Sequence, residues 1–428
     1  MLTANPTLRV TDTFFQPLTG LVAASPNTRS CPEFADDQWL RLGLYRVLEC
    51  GTSGRAFLQE HGPRFEDTPG TANYFYSLAS ERRRDVLLDV NRALLAATTL
   101  TDRLAHIPEL AQYECFALDG HWHRAATHDP RHDGSKMAVG HFYSLSLRGH
   151  QLRHLAVGEG LHEHDMSVLK RLKPAGLRQE VPKGQRVLII YDRAGIDFDF
   201  WKRCRHECAL YFLSRVKAGM VYDLLDRRPV DVQDPRNHGV TEDRLIMTRE
   251  GHRMRIICYT EPEQGREYEF LTNEQDMPPG VLAELYRRRW DVEKVFDEIK
   301  NKLGEKKAWA TSLVAKEVQA QLVALTHNLL LLYAARLEAE QGVRDVAEDR
   351  RREKLAADLA TKARRAGRVA SSLVVGARRA SQQSVKFIRW LRHALRENLT
   401  KPSLCPASPR SMRRCSYPAW TQMGLTNG

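Results

Sequence analysis

Residues 282–300 read LAELYRRRWDVEKVFDEIK. Pro278 and Pro279 stand ahead of this stretch, as at a helix start, and Gly304 stands after it, as at a C-cap. Leu285, Val292, Phe296, Ile299 and Leu303 recur at helical steps, which predicts an amphipathic helix with one face on a core. Tyr286, Arg289, Glu293 and Lys300 follow at offsets of 0, 3, 7 and 14. At about 100° per residue they fall within roughly 60° of one another, along the margin of the apolar face. A phenol, a guanidinium, a carboxylate and an ammonium so aligned suit an anionic polymer and a metal ion. Taken alone, Arg289 and Glu293 are also an ordinary i,i+4 surface pair. The rest of the chain decides between the two.

The chain has 428 residues, too many for one ordinary core, so two or three domains are expected. It carries 65 Lys and Arg against 53 Asp and Glu, a net charge of +12, which favours a polyanionic partner such as nucleic acid. A ribosome-associated or membrane-surface protein would share that bias. No run of 18 apolar residues occurs, and residues 1–26 lack a basic stretch followed by an apolar block. The expected location is therefore cytoplasmic, at the nucleoid. Eight cysteines are scattered without framework spacing and read as reduced thiols. Cys204-Arg-His-Glu-Cys208 looks like half a zinc site, but no second pair lies nearby.

Residues 1–105 read as a helical N-terminal domain. It has a helix from Asp36 that ends before Gly51, with Gly43 inside it, and a second helical zone over 71–99. Arg82, Arg83 and Arg84 on that zone read as a solvated face, or as a phosphate contact. At Tyr113 the texture changes. Strands are predicted at 113–118, 139–147 and 152–157, the last two joined by a turn at 148–151. A helix over 163–172 follows, then a buried strand at 187–191, a helix near 197–207 and a strand at 209–213. Asp197 and Asp199 read as helix N-terminal residues.

The first and fourth of these strands each run into an aspartate, Asp119 and Asp192. If those strands are neighbours, the two carboxylates sit side by side at the strand ends, where sites on mixed α/β sheets lie. The order is that of a ribonuclease-H-like sheet, an α/β class. Residues 106–215 would be the first part of this core, 216–277 a β-rich insertion, and 278–342 the second part, returning Glu293 to the aspartates. A basic helical region at 343–400 and a disordered tail at 401–428 complete the predicted layout. N- and C-terminal helical regions thus flank the core.

Three carboxylates from separated segments can hold two magnesium ions, which prefer hard oxygen ligands. Two such ions clamp the attacking and leaving oxygens of a phosphodiester displacement. Arg289, Lys300 and the Tyr286 hydroxyl would then grip phosphates. The pattern Tyr286-x2-Arg289-x3-Glu293-x6-Lys300 resembles the YREK signature of bacterial DDE transposases, in the insertion-sequence-four branch. DGHW at 119–122 and YDRAG at 191–195 resemble that family's two aspartate motifs.

The resemblance covers roughly residues 113–330. It implies a transposase that uses Mg2+, or Mn2+ in its place, to hydrolyse and then transesterify DNA at the ends of an insertion sequence, in cut-and-paste transposition. Asp119, Asp192 and Glu293 would be the catalytic, metal-binding triad. Tyr286, Arg289 and Lys300 would contact DNA. The partners implied are double-stranded DNA, both terminal inverted repeats and target, and a second copy of the chain on paired ends.

One departure concerns the insertion, where the family places a tryptophan that helps hold a flipped base. No Trp lies between Trp201 and Trp290. Tyr259, Tyr268 or Phe270 could stack instead, or could belong to the insertion core. Two other readings stand beside the transposase. Asp119, His121 and His123 could be ligands of a His/Asp metal-dependent phosphohydrolase, with His128, His132 and His141 nearby; loop histidines facing solvent or DNA are the plainer reading. The other is a catalytically inactive, transposase-derived DNA-binding regulator.

Overall fold

The computed structural model describes residues 9–29, 34–49, 53–64, 70–98, 100–133, 137–158, 163–342, 346–369, 383 and 385–397. The predicted disordered tail at 401–428 and part of the basic C-terminal region lie outside these residues.

Nine strands form one mixed sheet. They are β1 (Tyr113–Arg124), β2 (Met137–Ser146), β3 (Leu152–Val157), β4 (Arg186–Ile190), β5 (Leu210–Arg215), β6 (Tyr222–Arg228), β7 (Val240–Thr248), β8 (Arg253–Thr260) and β9 (Glu267–Thr272), in the spatial order 3-2-1-4-5-9-8-7-6. β1, β4 and β5 are parallel neighbours, and β2 and β3 extend the sheet antiparallel from β1. The insertion is an antiparallel meander whose last strand, β9, pairs with β5, so it prolongs the same sheet. The α/β class, the ribonuclease-H-like order and the β-rich insertion are as read from the sequence.

β1 and β4 are apolar on both sides because both sheet faces are covered. Phe116, Leu118, Val187 and Ile189 face helices Asp165–Arg178 and Phe198–Cys208. Cys115, Ala117, Leu188 and Ile190 face the opposite layer, which holds helix Trp290–Asp297 and the long helix Leu313–Gln341. The long helix is apolar enough to cross a membrane by length and composition, but here it is mostly buried. β3 lies on one side of it, and the N-terminal helices Asp36–Leu48 and Glu81–Ala97 lie on the other. Gly43 has a specific role in this packing: a Cβ there would come within 2.8 Å of a Leu322 methyl. The helix Val385–Arg396 lays Phe387 and Trp390 against Tyr333, whose ring stacks on Trp390 at 6.4 Å. N-terminal helices, sheet and C-terminal helix thus share one continuous apolar core.

Two local predictions need correction. β1 does not stop at Asp119 but continues to Arg124. β2 keeps pairing with it as far as Met137, whereas the ladder to β4 ends at Ala117–Ile190. Nor is 282–300 one helix. Helix Pro279–Arg288 gives way at Arg289, whose N–H bonds to the Tyr286 carbonyl at 3.1 Å; a second helix covers Trp290–Asp297, and a π turn covers Glu298–Lys302. Such a π turn inserts a residue into the helical phase. Gly304 then ends the segment at φ +70°, as a C-cap glycine should.

Arg82, Arg83 and Arg84 are not a free basic face. Arg82 makes a two-pronged bond to the buried Asp36 at 2.6 and 2.8 Å, Arg83 reaches Asp36 at 3.3 Å, and Arg84 pairs with Asp85 and Glu317. Asp197 caps its helix by accepting from Phe200 N–H at 2.9 Å, as expected.

Candidate active site

Asp119 lies two residues beyond Ala117 on β1, and Asp192 two beyond Ile190 at the end of β4; Ala117 and Ile190 are register partners. The alternation of a strand sends both carboxylates to the face that carries Cys115, Ala117, Leu188 and Ile190. That is the face covered by the helix bearing Glu293. The Asp119 carboxylate accepts from Gly120 N–H at 2.9 Å and from Arg289 Nη1 at 3.2 Å. Glu293 Oε1 accepts from Arg289 Nη2 at 2.8 Å. One guanidinium therefore spans two of the three carboxylates.

Asp192 is fixed differently. Its side chain accepts from Ala194 N–H at 2.8 Å, capping the short turn Arg193–Gly195, while its carbonyl accepts from the Ser214 hydroxyl at 2.9 Å. Gly195 is required here, because a Cβ would come within 2.0 Å of the Tyr191 ring. The Tyr191 hydroxyl donates to Asp165 at 2.7 Å, a fourth carboxylate that no local motif marks.

Burial pushes the Asp119 carboxyl up to about 7; Arg289 and the Gly120 N–H pull it down, and the charges of Glu293 and Asp192 push it up. Burial works against the Arg289 charge, but Asp119, Tyr286 and Glu293 hold its pKa above the usual value. Tyr286 is buried against Phe270, ring centroids 4.8 Å apart, and burial raises its hydroxyl. Lys300 is exposed in the π turn, and its charge acts on His121. Tyr286, Arg289 and Glu293 stay together as one strip across the turn at Arg289, the guanidinium 5.8 Å from the Tyr286 ring centre and 2.8 Å from Glu293, and the π turn carries Lys300.

Tyr259 and Phe270 belong to the insertion core, at 4% and 1% exposure, while Tyr268 is half-buried under the Arg215 guanidinium. The open aromatic surface at this edge is Trp290, 57% exposed, with the Arg289 guanidinium 5.6 Å from its ring centre. His121, His123 and His141 are not loop residues: they are buried on β1 and β2. His128 and His132 stay in the connecting turn. His121 and His123 lie 3.8 and 4.0 Å from Glu305, a buried acid that carried no sequence signal.

Among the described residues, no three His, Cys, Asp or Glu side chains are already drawn around one ion-sized point. The chemistry of Asp119, Asp192 and Glu293 nonetheless fits a divalent cation. All three offer hard carboxylate oxygens, and the charges of Glu293 and Asp192 lie close enough to act on Asp119.

A mixed sheet of ribonuclease-H-like order, with acids at neighbouring strands and on the covering helix, has the donor chemistry suited to polynucleotidyl transfer. The chain belongs to the family described as Transposase DDE domain, whose profile matches residues 111–329. No curated protein matches it. The chain is therefore a DDE transposase, and members of this family work with divalent metal ions on DNA.

Proposed function

We propose that this chain is the transposase of an insertion sequence in the YREK, insertion-sequence-four branch, excising its element by cut-and-paste transposition. The observation that favours this most is the level of Asp119 and Asp192 on parallel neighbouring strands, beneath the helix that bears Glu293.

In this reading Asp119, Asp192 and Glu293 hold Mg2+, with Mn2+ as a substitute. The ions supply activation of the attacking oxygen and neutralisation of the leaving one. Arg289, already within reach of two carboxylates, turns one or more of its donors to a scissile-strand phosphate. Tyr286 braces Arg289 from below, and Lys300 meets the DNA backbone further along, where the π turn brings it into solvent. Water attacks first; the freed 3′-hydroxyl then attacks the opposite or target strand. Trp290 offers a stacking surface for an unpaired base, so a hairpin route remains chemically open to a chain without an insertion tryptophan.

The domain roles follow the predicted boundaries. Residues 1–105 read the terminal inverted repeats, 106–215 and 278–342 form the catalytic core, 216–277 the insertion and 343–400 the dimer contacts. Two copies act on paired ends at the nucleoid.

The test is magnesium-dependent nicking of DNA that carries the element's ends. Asp119→Asn, Asp192→Asn and Glu293→Gln should each abolish nicking while binding survives. Wild-type protein that binds the ends but never nicks them with either metal would make the chain a regulator. Full cleavage by any of the three variants would remove that residue from the triad.

A further inference from the structure

We propose that Tyr191 and Asp165 are positioning residues for strand cleavage: their hydrogen bond anchors the turn that follows Asp192 and so aims the Asp192 carboxylate. The proposal rests on the reading of Asp192 as a metal ligand.

Asp192 stands past the end of β4, so more than the parallel ladder must fix it. Its carbonyl accepts from the Ser214 hydroxyl at 2.9 Å and from Gly195 N–H at 3.2 Å, and its Oδ1 accepts from Ala194 N–H at 2.8 Å. The Trp201 indole N–H holds the far end of the turn, donating to the Gly195 carbonyl at 3.0 Å. Tyr191 forms the floor. Its side chain packs with Phe116, Leu118, Val187 and Ile189, on the sheet face opposite the catalytic acids, and is 2% exposed. Because a Cβ on Gly195 would come within 2.0 Å of the Tyr191 ring, the turn lies directly on that ring. Ring, turn and carboxylate therefore move together.

The ring is fixed in turn by its hydroxyl, which donates to Asp165 Oδ2 at 2.7 Å. Asp165 opens the helix Asp165–Arg178, where the helix dipole favours an acid. Lys170 ties that helix to Asp197, the cap of the next one, at 2.5 Å. A helix-start acid that satisfies a buried phenol is, taken alone, an ordinary structural contact. Two observations carry it further. The phenol ring touches the turn that Asp192 caps, and the charge of Asp192 reaches Asp165: burial pushes the Asp165 carboxyl up, the Tyr191 hydroxyl pulls it down, and Asp192 pushes it up. The pair thus lies close behind the acids without joining them. Asp192 gives Oδ1 to Ala194, so Oδ2 is the oxygen it can offer an ion, and the set of the turn decides where Oδ2 points. Partners of this kind, one step removed from a ligand, change metal affinity or activity by about 10- to 100-fold when they are lost.

The test uses full-length protein titrated with Mn2+, free Mn2+ being followed by electron paramagnetic resonance, beside cleavage of end-bearing DNA over a range of Mg2+. Tyr191→Phe and Asp165→Leu should each raise half-saturating Mn2+ by about 10-fold or more, with DNA binding and far-UV circular dichroism unchanged. Their cleavage should be slow at low Mg2+ and largely recover at high Mg2+. Asp165→Asn keeps an acceptor oxygen for the phenol and should behave as wild type. Wild-type Mn2+ binding in Tyr191→Phe and Asp165→Leu, whatever their stability, would reduce the pair to a structural brace and overturn the proposal. Asp165→Asn as impaired as Asp165→Leu would overturn it too, because Asp165 would then act through its charge. Asp192→Asn is the reference and should lose Mn2+. If it binds Mn2+ as wild type does, Asp192 is no ligand, and the underlying reading fails together with the proposal.

Discussion

The Arg289 guanidinium lies 3.2 Å from the Asp119 carboxylate, 170 residues away in sequence, and 2.8 Å from its own-helix neighbour Glu293. An apparent i,i+4 surface pair is therefore half of a partly buried three-membered contact, with Arg289 only 7% exposed. The guanidinium offsets repulsion between two acids that burial and proximity otherwise set against each other.

Replacing Arg289 with Ala should drive the Asp119 pKa above its present value of about 7. Losing one partner of a buried charged contact should also lower strand cleavage by about 100-fold or more, the scale found for single electrostatic donors at active sites. Arg289→Lys should recover little, because one ammonium cannot reach both carboxylates as a fork does. Single-turnover cleavage, with Asp119 followed by carboxyl NMR, checks both effects.

Asp36 is buried at 3% exposure and is the shared acceptor of Arg82 and Arg83. Asp36→Ala should destabilise the protein by about 3–5 kcal/mol, because two partly buried guanidinium groups lose their counter-charge. Arg82→Ala should cost less, since Arg83 remains. A chemical-denaturation series compares the two, and equal losses would contradict the shared-acceptor reading.

Gly43→Val should cost about 1–3 kcal/mol by forcing helix Asp36–Leu48 away from Leu322. Leu322→Ala in the same chain should return part of that loss, which a double-mutant cycle on thermal unfolding measures.

Stability should also depend on pH in a defined way. Burial lowers His121 and His154 to about 3, His123 and His150 to about 4, and His141 well below the ordinary 6.5. The unfolded chain protonates these groups below pH 6.5 and the native chain does not, so their contribution to stability is lost as pH falls from 6.5 toward 4. Asp119 and Glu305 act oppositely: raised from 3.8 and 4.5 to about 7 and about 8, they stay protonated in the native state while the unfolded chain ionises, and stability falls as pH rises from about 4 to about 8. Among the described residues, with His106 six histidines are lowered, and with Glu114, Asp165 and Glu284 five acids are raised. The urea midpoint should therefore peak at about pH 6.5, each net proton contributing about 1.4 kcal/mol per pH unit.

Much of this architecture was legible in the chain. Uninterrupted apolar runs such as 187–191 mark a strand covered on both faces, and the period of Leu285, Val292 and Phe296 marks a helix on a core, because burial dictates which positions must be apolar. The order of those elements, with acids after the first and fourth strands, was enough to read the sheet. Other features carried no local signal. Asp119 looked like the end of its strand because polar residues follow it, yet β2, Phe296 and Glu305 bury those residues and carry the strand on to Arg124. The Arg82–Arg84 run looked like a solvated or phosphate-binding face, and only the arrival of Asp36 and Glu317 gave it internal partners.

The sequence by itself determined the periodic and compositional features: strands, helices, their order, and the residue types able to hold a metal or a phosphate. Tertiary structure alone decided which charges meet. Arg289 finds Asp119, and His121 and His123 find Glu305, because sheet register and helix packing set those distances and residue spacing along the chain does not.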